Sequence, residues 1–165
     1  MPHPLVDQLR FARSEFVRCL DGVNNDDARR RLVPMNCISW IIGHLSAQED
    51  AYWNGAAQGT PVAPHLRELL SSGQVDVLPP LDEMWSTWGA ITAAADRYLD
   101  TVTAEILLQH PLREGKPHAE NYGTMLYRNI YHYWFHTGEA HAVRQMLGHG
   151  ELPQFVGDMR TAVFR

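Results

Sequence analysis

Nine histidines are spread along the 165 residues, and three of them stand where imidazole nitrogens could converge on one ion. His132 and His136 are four residues apart. On an α-helix that spacing brings the second side chain to within about 40° of the first, one turn further along, so both rings project from one face. Met125, Asn129, Glu139, Val143 and Leu147 point in nearly the same direction, which makes the histidine face also a core-facing stripe. His44 lies on a second stripe of this kind, among Cys37, Ile41, Gln48 and Ala51. Three buried imidazoles without partners would leave several hydrogen bonds unmet, whereas a divalent ion satisfies one nitrogen on each. Spacing alone leaves a simpler reading open, because His-x-x-x-His pairs arise often by chance and a single buried histidine is more often a hydrogen-bonded core residue.

Three neutral imidazoles with no fourth protein ligand leave positions open for water or substrate, the arrangement of catalytic rather than structural zinc. At such a site bound water acquires a pKa near ~7, and a bound thiol loses its proton outright. Glu139 and Gln48, on the same two stripes, are the candidate catalytic residues, to orient water or support the ligands; a capped or solvated carboxylate is an equally good reading of Glu139. Imidazole suits zinc, nickel, copper and iron alike. Of the other six histidines, His3, His65, His110, His118 and His149 fall in expected loops or tails, and His141 points about 180° away from His132. None of them receives a role.

The elements that carry these residues read as helices. Leu5, Leu9, Ala12, Phe16, Cys19, Leu20 and Val23 recur at three and four, the period of a one-sided helix over 5–23. Asp21, Gly22 and the 24–27 cluster predict a break. Asn36 is the expected N-cap of a second helix that carries His44 and ends near Gly55 or Gly59. A Pro- and Gly-rich stretch over 59–80 follows, with room for one short helix at 66–70. Pro79 and Pro80 then lead into Leu81, Met84, Trp88, Ile91, Ala95, Tyr98 and Val102, the cleanest alternation in the chain. After a loop at 110–123, Thr124 is the expected cap of a last helix running to Leu147, with Gly148 as its stop. No strands of consequence are predicted. The fold class is all-α, a four-helix bundle in a single domain spanning 1–165. A link of roughly 20 residues exceeds what antiparallel neighbours need, so helices two and three should run parallel, in up-down-down-up order.

Composition narrows the function. Fourteen Lys plus Arg against nineteen Asp plus Glu give a net charge of −5, with no basic block longer than Arg29–Arg31, so neither nucleic acid nor an anionic membrane surface is an expected partner. Cys19 and Cys37 lack Cys-x-x-Cys spacing and make a poor disulfide framework. With no basic-then-apolar leader and no run of about 18 apolar residues, the expected compartment is the cytoplasm. Five Trp and six Tyr are many for this length. Tyr127, Ile130 and Trp134 lie opposite the histidines on the last helix, so that helix needs cover on two sides, from a homodimer partner, another helix or the crossover. Trp40, Tyr52 and Trp53 flank His44 and could wall a substrate pocket, although packing suits at least two of them better. Cys37 is roughly 10 Å along the axis from His44, too far to share an ion.

The segments Asn36-Cys-Ile-Ser-Trp-Ile-Ile-Gly-His44-Leu, with Glu49 following, and His132-Tyr-Trp-Phe-His136-Thr-Gly-Glu139, with Arg144-Gln-Met-Leu-Gly148 following, resemble the DinB-like superfamily over nearly the whole chain. The resemblance implies an up-down-down-up bundle, often a homodimer, in which the Gly-His-Leu histidine and both histidines of the last-helix pair bind metal: here His44, His132 and His136. It implies zinc or nickel, with iron or manganese also found among members. Glu139 departs from the family's frequent Gln. Similar proteins include low-molecular-weight thiol transferases and mycothiol-dependent maleylpyruvate isomerases, which implies a small-molecule substrate and a thiol cofactor. Three functions follow as expectations: thiol transfer to, or isomerisation of, a small electrophile; a metal-dependent hydrolase; and a non-catalytic metal-binding stress-response module.

Overall fold

The computed structural model describes residues 2–70, 77–113, 115–154, 156–157 and 159–161. Helices dominate it. α1 (Pro4–Cys19) opens on a proline, whose fixed φ suits a first turn, and His3 Nδ1 accepts from the Leu5 amide at 3.3 Å as its cap. It stops about a turn before the expected Val23. The cluster read as a plain turn instead forms α2 (Asn25–Arg29), because Asn24 Oδ1 accepts from the Asp27 amide at 2.9 Å and caps it.

α3 (Ile38–Glu49) carries His44, but Asn36 is not its cap. Cys37 holds that position without a side-chain bond, and the Asn36 amide is drawn away to Glu139 on the last helix. Beyond Glu49 the chain continues as a π-helical turn over Asp50–Ala56, which helical periodicity did not foretell. The buried Asp50 carboxylate accepts from the amides of Val62 (2.8 Å) and Ala63 (2.9 Å) and so folds the following loop back onto this turn. Gln58 Nε2 donates to the Trp53 carbonyl at 2.9 Å. The crossover holds α4 (Leu66–Leu69); part of it, 71–76, lies outside the described residues.

α5 (Leu81–Leu99) follows the prolines as expected. α6 (Ala104–Leu107), capped by Thr103, and a two-residue hairpin, β1 (Leu112–Arg113) with β2 (Lys116–Pro117), occupy what read as loop. α7 (Tyr122–Met146) starts before Thr124, because Asn121 is the cap and its Oδ1 accepts from the Thr124 amide at 2.8 Å. Gly148, at φ 81°, takes the left-handed conformation expected at a helix stop.

α1 packs on α7 and α3 packs on α5, with α3 also facing α7. Along α3 and α5 the contacts advance together: Gly43 lies beside Met84, and Trp53 stacks near Tyr98 at 6.5 Å. Along α3 and α7 they run oppositely, from Asn36 with Glu139 to Trp53 with Asn129. The interior is filled by Leu9, Phe16, Ile38, Ile41, Ile91 and Val143, all fully buried, each contributing about 1.5–3 kcal/mol by leaving water. Of the outer face expected on α7, Ile130 is buried and Trp134 packs on Phe11 of α1 at 6.0 Å, so α1 covers it. Tyr127, the third residue of that face, is exposed together with Tyr131 and Phe135, each one turn from the next, the two tyrosines stacked at 6.0 Å.

A polar brace crosses the core. Arg13 of α1 is ion-paired with the fully buried Glu49 of α3 and with Asp96 of α5 at 2.7 Å. Tyr133 of α7 donates to Glu49 Oε2 at 2.6 Å and accepts from Trp88 Nε1 at 2.8 Å. Burial pushes the Tyr133 phenol up to about 12, so it stays a donor. Among the described residues no helix is long and apolar enough to cross a membrane.

Candidate metal centre

α3 delivers His44, and one face of α7 delivers His132 and His136. Their rings meet edge to face, with centroids 4.6–5.2 Å apart. His132 Nε2 lies 3.1 Å from His44 Nε2 and 3.0 Å from His136 Nε2, and a ligand atom from each residue lies within 4.8 Å of the others. A tetrahedral ion with bonds of 2.0–2.1 Å needs nitrogens about 3.3 Å apart, close to the two spacings from His132.

The opposite nitrogen of each ring is tied to an acceptor. His44 Nδ1 meets the Leu70 carbonyl at 2.7 Å, His132 Nδ1 meets Gln48 Oε1 at 2.9 Å, and His136 Nδ1 meets Glu139 Oε2 at 2.6 Å. A carbonyl, an amide oxygen and a carboxylate can only accept, so each ring carries its proton on Nδ1. Three Nε2 lone pairs are left pointing at one another. Burial, then the neighbouring imidazoles, push His132 down to about 3, and burial lowers His44, so protonation of these two rings does not relieve the crowding near neutrality. The residues present fit a cation: converging lone pairs, with the far nitrogens fixed as they are around bound metals.

The supports are themselves held. Burial alone would raise the Glu139 carboxyl, but the bonds from His136 and from the Asn36 side chain, at 2.9 Å, and amide outweigh it and hold the group below its ordinary value. Trp40 stacks on His44 at 4.5 Å and 13° and fixes its plane. Phe135 sets its ring square to His136 at 5.1 Å. At Gly43 an added Cβ would overlap Leu70 Cδ1 and lie 2.6 Å from Met84 Sδ, both in buried side chains. This glycine lets Leu70 settle onto α3, where its carbonyl reaches His44.

Gln48 and Glu139, expected near the site, are both there, each bonded to one imidazole. Of the three flanking aromatics, Trp40 is buried against His44 and Trp53 is buried with its Nε1 bonded to Asn129 Oδ1 at 2.8 Å. Tyr52 alone faces open space. It lines a cavity of about 270 Å³ beside His44, Gln48, Arg67 and Leu70, and a second of about 310 Å³ reaching Pro61, Arg113, His118 and Met125. Ala47, Ala51, Tyr52 and Arg67 border both, so the two adjoin. Sequence reasoning missed Leu70, whose backbone carbonyl no residue type announces, and Arg67 and Arg113, whose approach depends on loop paths. The position of Asn36, directly before the stripe of α3, fits a cap as well as a ligand support, so nothing there signalled its bond to Glu139.

The comparisons bear on this geometry. A family profile described as mycothiol-S-transferase matches residues 4–148. A search of curated proteins finds no match to the chain. The chain belongs to the mycothiol-S-transferase family, in keeping with the DinB-like resemblance of its histidine segments.

Proposed function

Starting from that membership, we propose that the chain is a metal-dependent thiol transferase, in which His44, His132 and His136 hold one divalent transition ion and the cavities beside them receive a small thiol and a small electrophile. The observation that carries this reading is the convergence of three Nε2 lone pairs whose rings are locked by Leu70, Gln48 and Glu139. A bound ion of this kind supplies Lewis acidity that favours the thiolate over the thiol. The three rings present neutral donors, Gln48 and Glu139 orient two of them, and Trp40 keeps water from the back of His44. In the reaction the thiol's sulfur forms a bond to an electrophilic carbon as that carbon's bond to its leaving group breaks, the leaving group departs with the electron pair, and the thiol's proton passes to solvent.

A hydrolase in which Glu139 or Gln48 orients an attacking water receives less support, because both accept from imidazoles. We read the two as positioning residues. We further propose zinc or nickel as the ion, a single-domain up-down-down-up bundle on the senses in which α3 runs against α5 and α7, and a cytoplasmic location on its two buried free thiols. Homodimerisation through Tyr127, Tyr131 and Phe135 is proposed on their exposure; sedimentation equilibrium checks it, a monomer at all concentrations counting against it.

The experiment is metal analysis of untagged protein purified without chelator, followed by turnover of a chromogenic electrophile with and without mycothiol. About one ion per chain and strict thiol dependence are expected. Turnover that ignores the thiol would refute the transferase reading, and protein without metal would refute the centre.

A further inference from the structure

The outer cavity has a chemistry that thiol transfer alone does not use. Arg67 and Tyr52 line both cavities, and Arg113 and His118 line the outer one. Among the described residues neither guanidinium has an ion-pair partner, whereas nearby Arg128 is neutralised by Glu120. Asp50, which also lines the outer cavity, is engaged: its oxygens accept from the amides of Val62 and Ala63 and from Asn54 Nδ2. His118 Nδ1 lies 3.0 Å from the Glu120 amide and 3.3 Å from the Glu120 carbonyl, and its Nε2 makes no bond to a described residue. The half-buried Tyr52 hydroxyl makes no hydrogen bond to a described residue. Ala51, Pro61, Pro111 and Met125 supply apolar wall between these groups. Donors and positive charge thus surround an apolar space that adjoins the cavity at His44, and among its described lining residues the one carboxylate, Asp50, is already engaged.

We propose that the outer cavity binds a carboxylate of the electrophile, gripped by Arg67 and Arg113 with added hydrogen bonds from Tyr52 and His118, so that the acceptors taken are small organic anions. A guanidinium fork matches the two oxygens of a carboxylate, and a space of this size suits an aromatic ring or a short chain behind it. The electrophile's identity as the anion rests on the transferase reading; carboxylate binding does not.

Two measurements test this. Benzoate and benzamide are titrated by saturation-transfer NMR against the wild type, Arg67→Ala, Arg113→Ala and His44→Ala, with melting curves to confirm folding. Benzoate should bind at least tenfold more tightly than benzamide, each arginine variant should lose about tenfold in benzoate affinity, the loss of a charge-assisted hydrogen bond, and His44→Ala should stay within twofold. Equal affinity for the two probes, no benzoate binding, or unchanged affinity in both arginine variants overturns the proposal, whatever becomes of the metal or thiol reading. In turnover with mycothiol, sulfur bonds to the benzylic carbon of 4-(chloromethyl)benzoate as chloride leaves with the C–Cl electron pair and the thiol proton goes to solvent. Arg113→Ala should raise KM for this acid and not for its methyl ester or for mycothiol. A rise confined to mycothiol would assign the cavity to the thiol and overturn the proposal.

Discussion

Two buried polar clusters sit back to back on the same helices, and neighbours in sequence belong to opposite ones. Gln48 and His132 face the histidine centre, while Glu49 and Tyr133 face Arg13. In the Arg13 cluster, Arg13 Nε apart, charges and donors meet acceptors inside the protein: guanidinium to two carboxylates, phenol to carboxylate, indole to phenol. In the histidine cluster the donors are satisfied outward and the acceptors are left facing one another. Polar groups buried to hold helices together are complemented by the chain itself, whereas polar groups buried to bind something are complementary to what is bound.

The contrast can be broken most directly at His132. Replacement by Ala should take bound metal from about one ion per chain to near none by elemental analysis, and abolish thiol transfer, with helix content by circular dichroism unchanged; retained metal would erase the distinction between the clusters. Glu49→Ala tests the other side. It leaves the buried Arg13 with Asp96 as its one remaining ion-pair partner among the described residues and should cost about 3 kcal/mol in urea unfolding, while the folded fraction still binds metal in full. Next in size is Glu139→Ala, which should weaken metal affinity about 10–100-fold against a chromophoric chelator and leave the melting point of metal-free protein within a few degrees.

Acid sharpens the comparison further. His132 is held at about 3 in the fold against an ordinary 6.5, so between those values the unfolded chain binds the extra proton. The stability of chelator-stripped protein should therefore fall as pH drops from 6.5 towards 3. His132→Asn should flatten that slope; a slope identical to wild type would remove His132 as its source. The smallest effect belongs to neither cluster. Asn121→Ala removes the α7 cap and should cost about 1 kcal/mol in the same unfolding assay, with metal content unaltered.

Much of this was legible in the sequence where periodicity governs. The helix stripes of α3, α5 and α7 put His44, His132 and His136 inside before any coordinates, because the angular spacing of an α-helix is fixed. What escaped were choices between partners of similar strength. Asn36 could cap α3 or bind Glu139, and took the latter; Asn121 displaced Thr124 as the cap of α7. The π-helical turn at Asp50–Ala56 depends on a carboxylate bonding amides some dozen residues on, a contact that no local pattern carries. The outer cavity escaped for the same reason, since Arg67 and Arg113 come to line it together only through the paths of the segments 59–80 and 110–123.

The close fit at Gly43 links two distant stretches of the gene. A single methyl at that position would overlap the buried side chain of Leu70, the residue whose carbonyl, 26 positions from His44, aims that ring. The glycine beside His44 is thus a record of the crossover written into α3. A chain that kept all three histidines but carried alanine there would have the donors of the centre without the device that points one of them.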